Sequence, residues 1–181
     1  MKSKITQSLR VAKMSVAAVC LFLTACSSDD DNNTYVPPAG APTNDSYVTG
    51  KVDGADFSSI IFGASAASCN RVSFNDGQMI TILGSDLSAN SITVQLWNVT
   101  TTGEIAVNRN TESLLSYSPV SGGLAFATSA ECDNAVGSIN VTYIDDRKVE
   151  GTFNFTGVNT EDCAGGTKTV TQGSFRGTFP Q

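Results

Sequence analysis

The chain has 181 residues, of which 11 are basic and 17 acidic, and 40% are hydrophobic. Its formal net charge of −6 repels phosphate backbones and argues against nucleic acid as a partner. It has no histidine, which excludes Ser/His/Asp and Cys/His triads and the commonest ligand of zinc, iron and copper sites.

In chain order, the first element is a charged start, Lys2, Lys4, Arg10 and Lys13, followed by an uncharged apolar run from Met14 to Leu23. That order reads as a secretory signal peptide over residues 1–25. The run is too short for a permanent transmembrane helix, because about 30 Å of hydrocarbon needs about 20 apolar residues. The segment Leu23–Thr24–Ala25–Cys26 resembles the lipobox of bacterial lipoproteins, whose cysteine takes a diacylglycerol and becomes the new N-terminus. A triacylated Cys26 is a firm anchor, since two or more acyl chains hold a protein stably where one does not. The competing reading is ordinary signal cleavage with Cys26 as an incidental thiol. The four basic residues go with the signal peptide, leaving seven basic against 17 acidic residues and a mature charge of about −10.

Directly behind Cys26 stand Ser27, Ser28, Asp29, Asp30 and Asp31. This arrangement resembles the surface-export signal of lipoproteins in one large group of Gram-negative bacteria. The resemblance implies the outer face of the outer membrane, with Ser28 and Asp29 to Asp31 carrying the signal. The alternative is an acidic patch that keeps a tether solvated. Residues 32–46 hold three of the five prolines and little apolar mass, so residues 26–46 read as a lipidated N-terminus and an extended tether.

Residues 47–181 are long enough for one domain with a real core. β-Branched and aromatic residues alternate there with small polar ones in short runs, starting at Ser46, Ser58, Gln78, Ser91, Gly123, Gly137, Val149 and Lys168. Gly, Asn and Asp break the runs at intervals of about ten residues, which argues for an all-β fold. The predicted architecture is a single antiparallel β-sandwich, with a small up-and-down or lipocalin-like barrel as the alternative. No window keeps a helical apolar period over three turns, so any helix is short.

The strongest local pattern is a hairpin of Gly137–Ile144 and Val149–Gly157 around the turn at 145–148. Period two sets Ile139, Val141 and Tyr143 on one face, and Val149, Phe153 and Phe155 on the matching face of the second strand. In the last strand Val170 differs in parity from Phe175 and Phe179, which predicts a bulge at Gly173.

The stretches at 48–59 ("VTGKVDGADFSS"), 80–82 ("ITI"), 149–157 ("VEGTFNFTG") and 170–179 ("VTQGSFRGTF") resemble a family of small bacterial surface lipoproteins of unknown function. The resemblance spans most of residues 47–181. It implies a β-sandwich domain and an envelope address, and it brings no catalytic residues.

Motifs for chemistry are absent from the sequence: no nucleophile elbow, dinucleotide loop, P-loop or Cys-x-x-Cys. No cofactor is expected. The acidic pairs Asp145/Asp146 and Glu161/Asp162 offer oxygen donors of the kind calcium takes, but adjacent turn acids are ordinarily just solvated. A glycosidase needs two carboxylates across a cleft, and an acidic chain meets that by chance. The sequons at Asn98, Asn140 and Asn154 follow from strand turns rich in Asn and Thr.

Trp97 is the only tryptophan. Its parity is opposite to Ile92, Val94 and Leu96, so a core-facing set leaves the indole outward as a platform for a sugar ring or a protein. Val99 shares its parity, however, which favours a strand buried on both faces and leaves the platform as the alternative. The mature domain also holds Cys69, Cys132 and Cys163. Secretion permits a disulfide. Opposed residues in the hairpin sum to 293, and Cys132 with Cys163 sums to 295, which predicts their pairing at its open end and leaves Cys69 free. Cys69 with either partner is the competing assignment.

Two function classes follow. One is a lipid-anchored, non-catalytic surface module that meets the membrane through Cys26 and binds a glycan or protein ligand. The other is a hydrolase using carboxylates or a metal. A deep pocket with convergent acids of raised pKa favours the hydrolase, and a flat exposed apolar patch favours the binding module.

Overall fold

A computed structural model describes residues 45–121, 124–132 and 134–180. The expected signal peptide over residues 1–25, and Cys26, Ser28 and Asp29 to Asp31, lie outside the described residues. Those described hold thirteen strands and no helix. They are β1 (Tyr47–Val52), β2 (Ala55–Ser58), β3 (Ile60–Ile61), β4 (Ala64–Ser65), β5 (Ala67–Phe74), β6 (Gly77–Ser85) and β7 (Ser91–Trp97). The second half adds β8 (Gly103–Asn108), β9 (Leu114–Ser118), β10 (Phe126–Ala127), β11 (Val136–Ile144), β12 (Lys148–Asn159) and β13 (Thr167–Thr178).

Eleven strands form one antiparallel sheet in the order β2-β1-β13-β12-β10-β9-β7-β6-β5, and β3 and β4 make a separate hairpin. The twelve residues of β12 pair along one edge with two strands, β11 over Val149–Thr156 and β10 over Val158–Asn159. The sheet divides at that point. β11 and then β8 continue the first layer, while two-residue β10 leads through β9 into the second. The curl brings β5 and β6 across the core against β1 and β13. The expected antiparallel all-β domain is therefore built with both layers drawn from one sheet that curls as a half-barrel.

Two glycines permit the close approach where the layers meet. A Cβ on Gly84 of β6 would stand 2.6 Å from Cβ of Val48 on β1, and one on Gly177 of β13 would stand 2.5 Å from Sγ of Cys69 on β5. Between the layers Val48, Ile80, Ile82, Ile92, Leu96, Leu115, Ile139 and Phe175 are buried. Each such side chain contributes about 1.5–3 kcal/mol relative to exposure.

The β11–β12 hairpin pairs Ile144 with Val149 and Tyr143 with Glu150, the register expected beside the turn. A bulge between Val141 and Tyr143 then shifts the ladder by one residue. Ile139 and Val141 are buried with Val149, Phe153 and Phe155, but Tyr143 is turned outward and 41% exposed. The expectation that Tyr143 joins the core is corrected by that extra residue, which inverts the parity of everything after it. In β13 the predicted bulge is present one residue earlier. Gln172, at φ 53°, is the additional residue, because the ladder to β1 slips between Thr171 and Ser174 and the ladder to β12 between Val170 and Gly173, and Gln172 is the residue common to both gaps. Val170, Phe175 and Phe179 all reach the core as a result.

Four strands carry no clear signal in the sequence: β2, β5, β8 and β9. In β5 the reason is Arg71, an inward position filled by a cation. Its guanidinium lies 3.5 Å from the centroid of Phe179, and Nη2 donates to the carbonyl of Asp145 at 2.9 Å. In β9 buried Thr128 completes the ladder, its Oγ1 accepting from Leu115 N at 3.1 Å.

Candidate functional site

The outward face of the second layer ends in an apolar patch. Val72, Met79 and Trp97 sit opposite one another across β5, β6 and β7, and Phe74 lies next along β5. The Phe74 and Trp97 rings are 5.6 Å apart and tilted by 36°. Phe74 is 47% exposed, Val72 is exposed, and Met79 and Trp97 are half-buried. Trp97 thus sits on the outward side of a strand whose Ile92, Val94 and Leu96 are buried.

Asn98 fixes the end of this platform. At φ 53° it stops β7, and its Oδ1 accepts from Gln78 N at 2.9 Å while its Nδ2 donates to Asp76 O at 3.2 Å. The reversal also turns Val99 back into the core, which resolves its shared parity with Trp97. On the other side Trp97 N donates to the Ser113 hydroxyl at 3.1 Å. Two aromatic rings and two aliphatic chains are held on paired strands, an arrangement suited to stacking on a sugar face or an apolar side chain.

The outward face of the first layer differs in kind. Ser138, Asn140, Thr152, Asn154, Gln172 and Ser174 line an open depression of about 490 Å³ with one carboxylate, Glu104. Neighbours satisfy one another there, as Asn154 Nδ2 donates to Ser138 Oγ at 3.0 Å.

The acidic residues shape turns. Asp145 Oδ1 accepts from Arg147 N and Lys148 N at 2.7 and 2.8 Å. Its Oδ2 accepts from the Tyr143 hydroxyl at 2.7 Å, which holds the carboxyl below the usual range. Asp146 is exposed beside it. Asp162 Oδ1 accepts from Ala164 N at 2.9 Å, and Glu161 N is taken by Asn159 Oδ1 at 2.9 Å. Asp53 is lowered by Lys168, whose Nζ donates to it at 2.7 Å, and by Thr169 N. A general acid needs the opposite shift. No group of three or more acids or cysteines with metal-holding geometry occurs among the described residues.

Cys132 and Cys163 form a disulfide with Cα atoms 5.9 Å apart. Both lie outside the hairpin ladder, which runs from Val136 to Ile144 on one strand, so the bridge joins the loop before β11 to the loop after β12. Beneath them Ala130, Cys132, Ala135 and Val158 make a small core of their own. Cys69 is free and partly buried against the β13 seam. Burial pushes its thiol up to about 12.

The apolar patch at Val72, Phe74 and Met79 was not read from the sequence, since β5 itself had no clear pattern. The signal that finds it is cross-strand register, which pairs Met79 with both Val72 and Trp97. No curated protein and no solved structure gives a significant match to the chain. A family model does match, over residues 44–178, which span every described strand, and the chain belongs to that family, a domain of unknown function (DUF6252).

Proposed function

We propose that this chain is a lipid-anchored bacterial envelope protein whose β-domain binds a glycan or protein ligand without catalysing a reaction on it. Cys26 takes the lipid, Ser28 and Asp29 to Asp31 direct export, and the domain stands on the exterior of the outer membrane. The observation that carries the binding role is the Phe74–Trp97 pair, set with Val72 and Met79 on a rigid sheet face and left in contact with solvent. Exposed contiguous apolar surface of this kind marks interaction sites. The lowered carboxyls of Asp53 and Asp145 point away from acid catalysis.

The test uses the mature chain on arrays of bacterial and host polysaccharides and on separated envelope proteins. The expected result is a ligand whose binding is lost in Phe74→Ala/Trp97→Ala with the melting curve near the parent's. Binding that is indifferent to both substitutions removes the platform. Anchoring is read separately by palmitate incorporation, which Cys26→Ala abolishes. Replacing Asp29, Asp30 and Asp31 with Ala leaves the protein anchored but protected from external protease. Digestion of that triple variant on intact cells contradicts the export role.

A further inference from the structure

β5 ends the large sheet, and among the described residues β6 is the only strand hydrogen-bonded to it. The direction of its remaining backbone groups follows from the next ladder. Asn98 N donates to Gln78 O at 2.9 Å, so even-numbered residues of β6 bond toward β7 and odd-numbered ones toward β5. Met79 and Thr81 therefore bond with Val72 and Asn70, and the alternate residues Cys69, Arg71 and Ser73 turn their N–H and C=O away from the sheet. Ala67 shares that direction, but its N–H is taken by the Ser65 hydroxyl at 3.0 Å. No described residue pairs with the backbone of the other three on that side.

Native sheet edges are ordinarily kept short, charged or interrupted by proline. β2, at the far end of the sheet, has four residues and an ion pair between Asp56 and Lys51. β8 has six residues and carries Glu104, exposed. β5 has eight residues and no proline, and its one charge is turned inward onto Phe179 and the carbonyl of Asp145. Ser73 is exposed although its side chain is on the inward side, so the end of β5 stands clear of the facing layer. On the outward side the same edge carries Val72 and Phe74, which continue the apolar row from Trp97 and Met79.

We propose that the ligand of the aromatic platform is an extended segment of another protein, which adds to β5 as an antiparallel strand. This inference rests on the platform reading above and names its ligand class. The added strand exchanges hydrogen bonds with Cys69, Arg71 and Ser73 and sets apolar side chains opposite Val72 and Phe74. Opposite Arg71 it sets a carboxylate. Arg71 makes no ion pair with a described acid, and its Nε is buried without an acceptor. A sugar offers the rings a face, but not N–H and C=O groups repeating at the strand spacing. A second copy of β5 fits poorly. Of the two long antiparallel self-pairings, one sets Arg71 against its own counterpart, a like-charge pair that destabilises, and the other carries Phe74 past the end of the opposing strand. The register that opposes Val72 to Phe74 overlaps only at Val72–Phe74.

The experiment uses the mature chain from residue 26 with Cys26→Ser and the end-blocked peptide Lys-Val-Thr-Val-Glu-Thr-Thr-Ser. Its antiparallel register puts the two valines opposite Phe74 and Val72 and the glutamate opposite Arg71. Calorimetry is expected to give a Kd below about 1 mM. Amide exchange at Cys69, Arg71 and Ser73 is expected to slow by about tenfold, with Asn70 and Val72, already bonded to β6, unchanged. N-methylation of the third, fifth and seventh peptide residues, whose N–H groups face β5, weakens binding by about tenfold or more, and N-methylation of the second, fourth and sixth by less than about twofold. Lysine in place of the peptide glutamate also costs about tenfold. No binding, equal effects of the two methylation sets, no loss on the exchange of glutamate for lysine, or slowed exchange at these amides in a dimer of the chain alone each overturns the proposal. Undiminished peptide binding by Phe74→Ala/Trp97→Ala overturns it too, since the strand is then not the platform's ligand. A glycan that binds at Phe74 and Trp97 where the peptide does not leaves the platform standing and removes strand addition alone.

Discussion

On β11, β12 and β13 the outward positions Ser138, Asn140, Thr152, Asn154 and Ser174 are polar, and some of them bond to one another. On β5, β6 and β7 the outward positions at one end are Val72, Phe74, Met79 and Trp97. Both sets alternate with buried residues of the same core. A sheet face turned to water needs only the first composition. The second leaves apolar area in solvent that a partner removes, which is why the same alternation supports a solvated face in one layer and a binding face in the other.

That contrast presumes two layers folded as one domain, so the largest expected effect comes from the bridge between the β10–β11 and β12–β13 loops. Cys132→Ala/Cys163→Ala opens a loop of 31 residues and is expected to cost about 3–4 kcal/mol in the chain-entropy account. A urea titration under oxidising conditions measures it. A midpoint unchanged from the parent's means that the loops are held without the bridge. Dithiothreitol acts in the same direction on the parent chain, while Cys69, with its thiol pushed up to about 12, is expected to alkylate slowly until the domain unfolds.

Neighbouring residues on β7 sharpen the contrast next. Leu96 is fully buried and Trp97 faces outward. Leu96→Ala is expected to destabilise by about 3 kcal/mol, whereas Trp97→Ala costs about 1 kcal/mol of stability and removes ligand binding. Equal stability losses at the two positions place Trp97 in the core and take away the binding face.

The smallest effect is electrostatic and lies at the edge of the first layer, where Asp53 meets Lys168. The Asp53 carboxyl is lowered on folding, first by its hydrogen bond from Lys168. A depressed acid contributes stability above the usual Asp value of about 3.9, and the contribution is lost as pH falls through the folded value. The pair is half-exposed, so Asp53→Asn is expected to cost only about 0.5 kcal/mol at pH 7. The gap from the parent closes near pH 2. A gap that persists at pH 2 assigns the effect to the Asp53 turn geometry instead.

How much of this was legible in the sequence depended on whether a strand obeyed one parity. Strands β6, β7 and β12 keep a strict alternation of buried and outward residues over much of their length, and their core sets were readable. Parity failed at single inserted residues, as at the β11 bulge that exposes Tyr143 and at Gln172 one position before the glycine that suggested it. β5 was unreadable because its inward Arg71 owes its place to Phe179, more than a hundred residues away in sequence. The parity of β7 offered Trp97 as an outward candidate, but the shared parity of Val99 favoured burial on both faces, and the turn at Asn98 that separates the two is not marked by any local pattern. Trp97's partners Phe74, Val72 and Met79 required the register of β5 on β6, which no local pattern encodes. The cysteine pair was suggested by hairpin register, yet it closes through loops beyond the ladder, where spacing and not strand opposition brings the two Cα atoms together.

The central claim is that the aromatic face binds and the polar face does not, and one binding measurement on two double variants tests it. Labelled mature chain carrying Phe74→Ala/Trp97→Ala, or Thr152→Ala/Asn154→Ala, is titrated onto intact cells lacking the gene, alongside the parent. The account predicts a loss of at least tenfold, about 1.4 kcal/mol, for the first pair and no change for the second. A loss confined to the Thr152/Asn154 pair, or identical isotherms for all three chains, contradicts it.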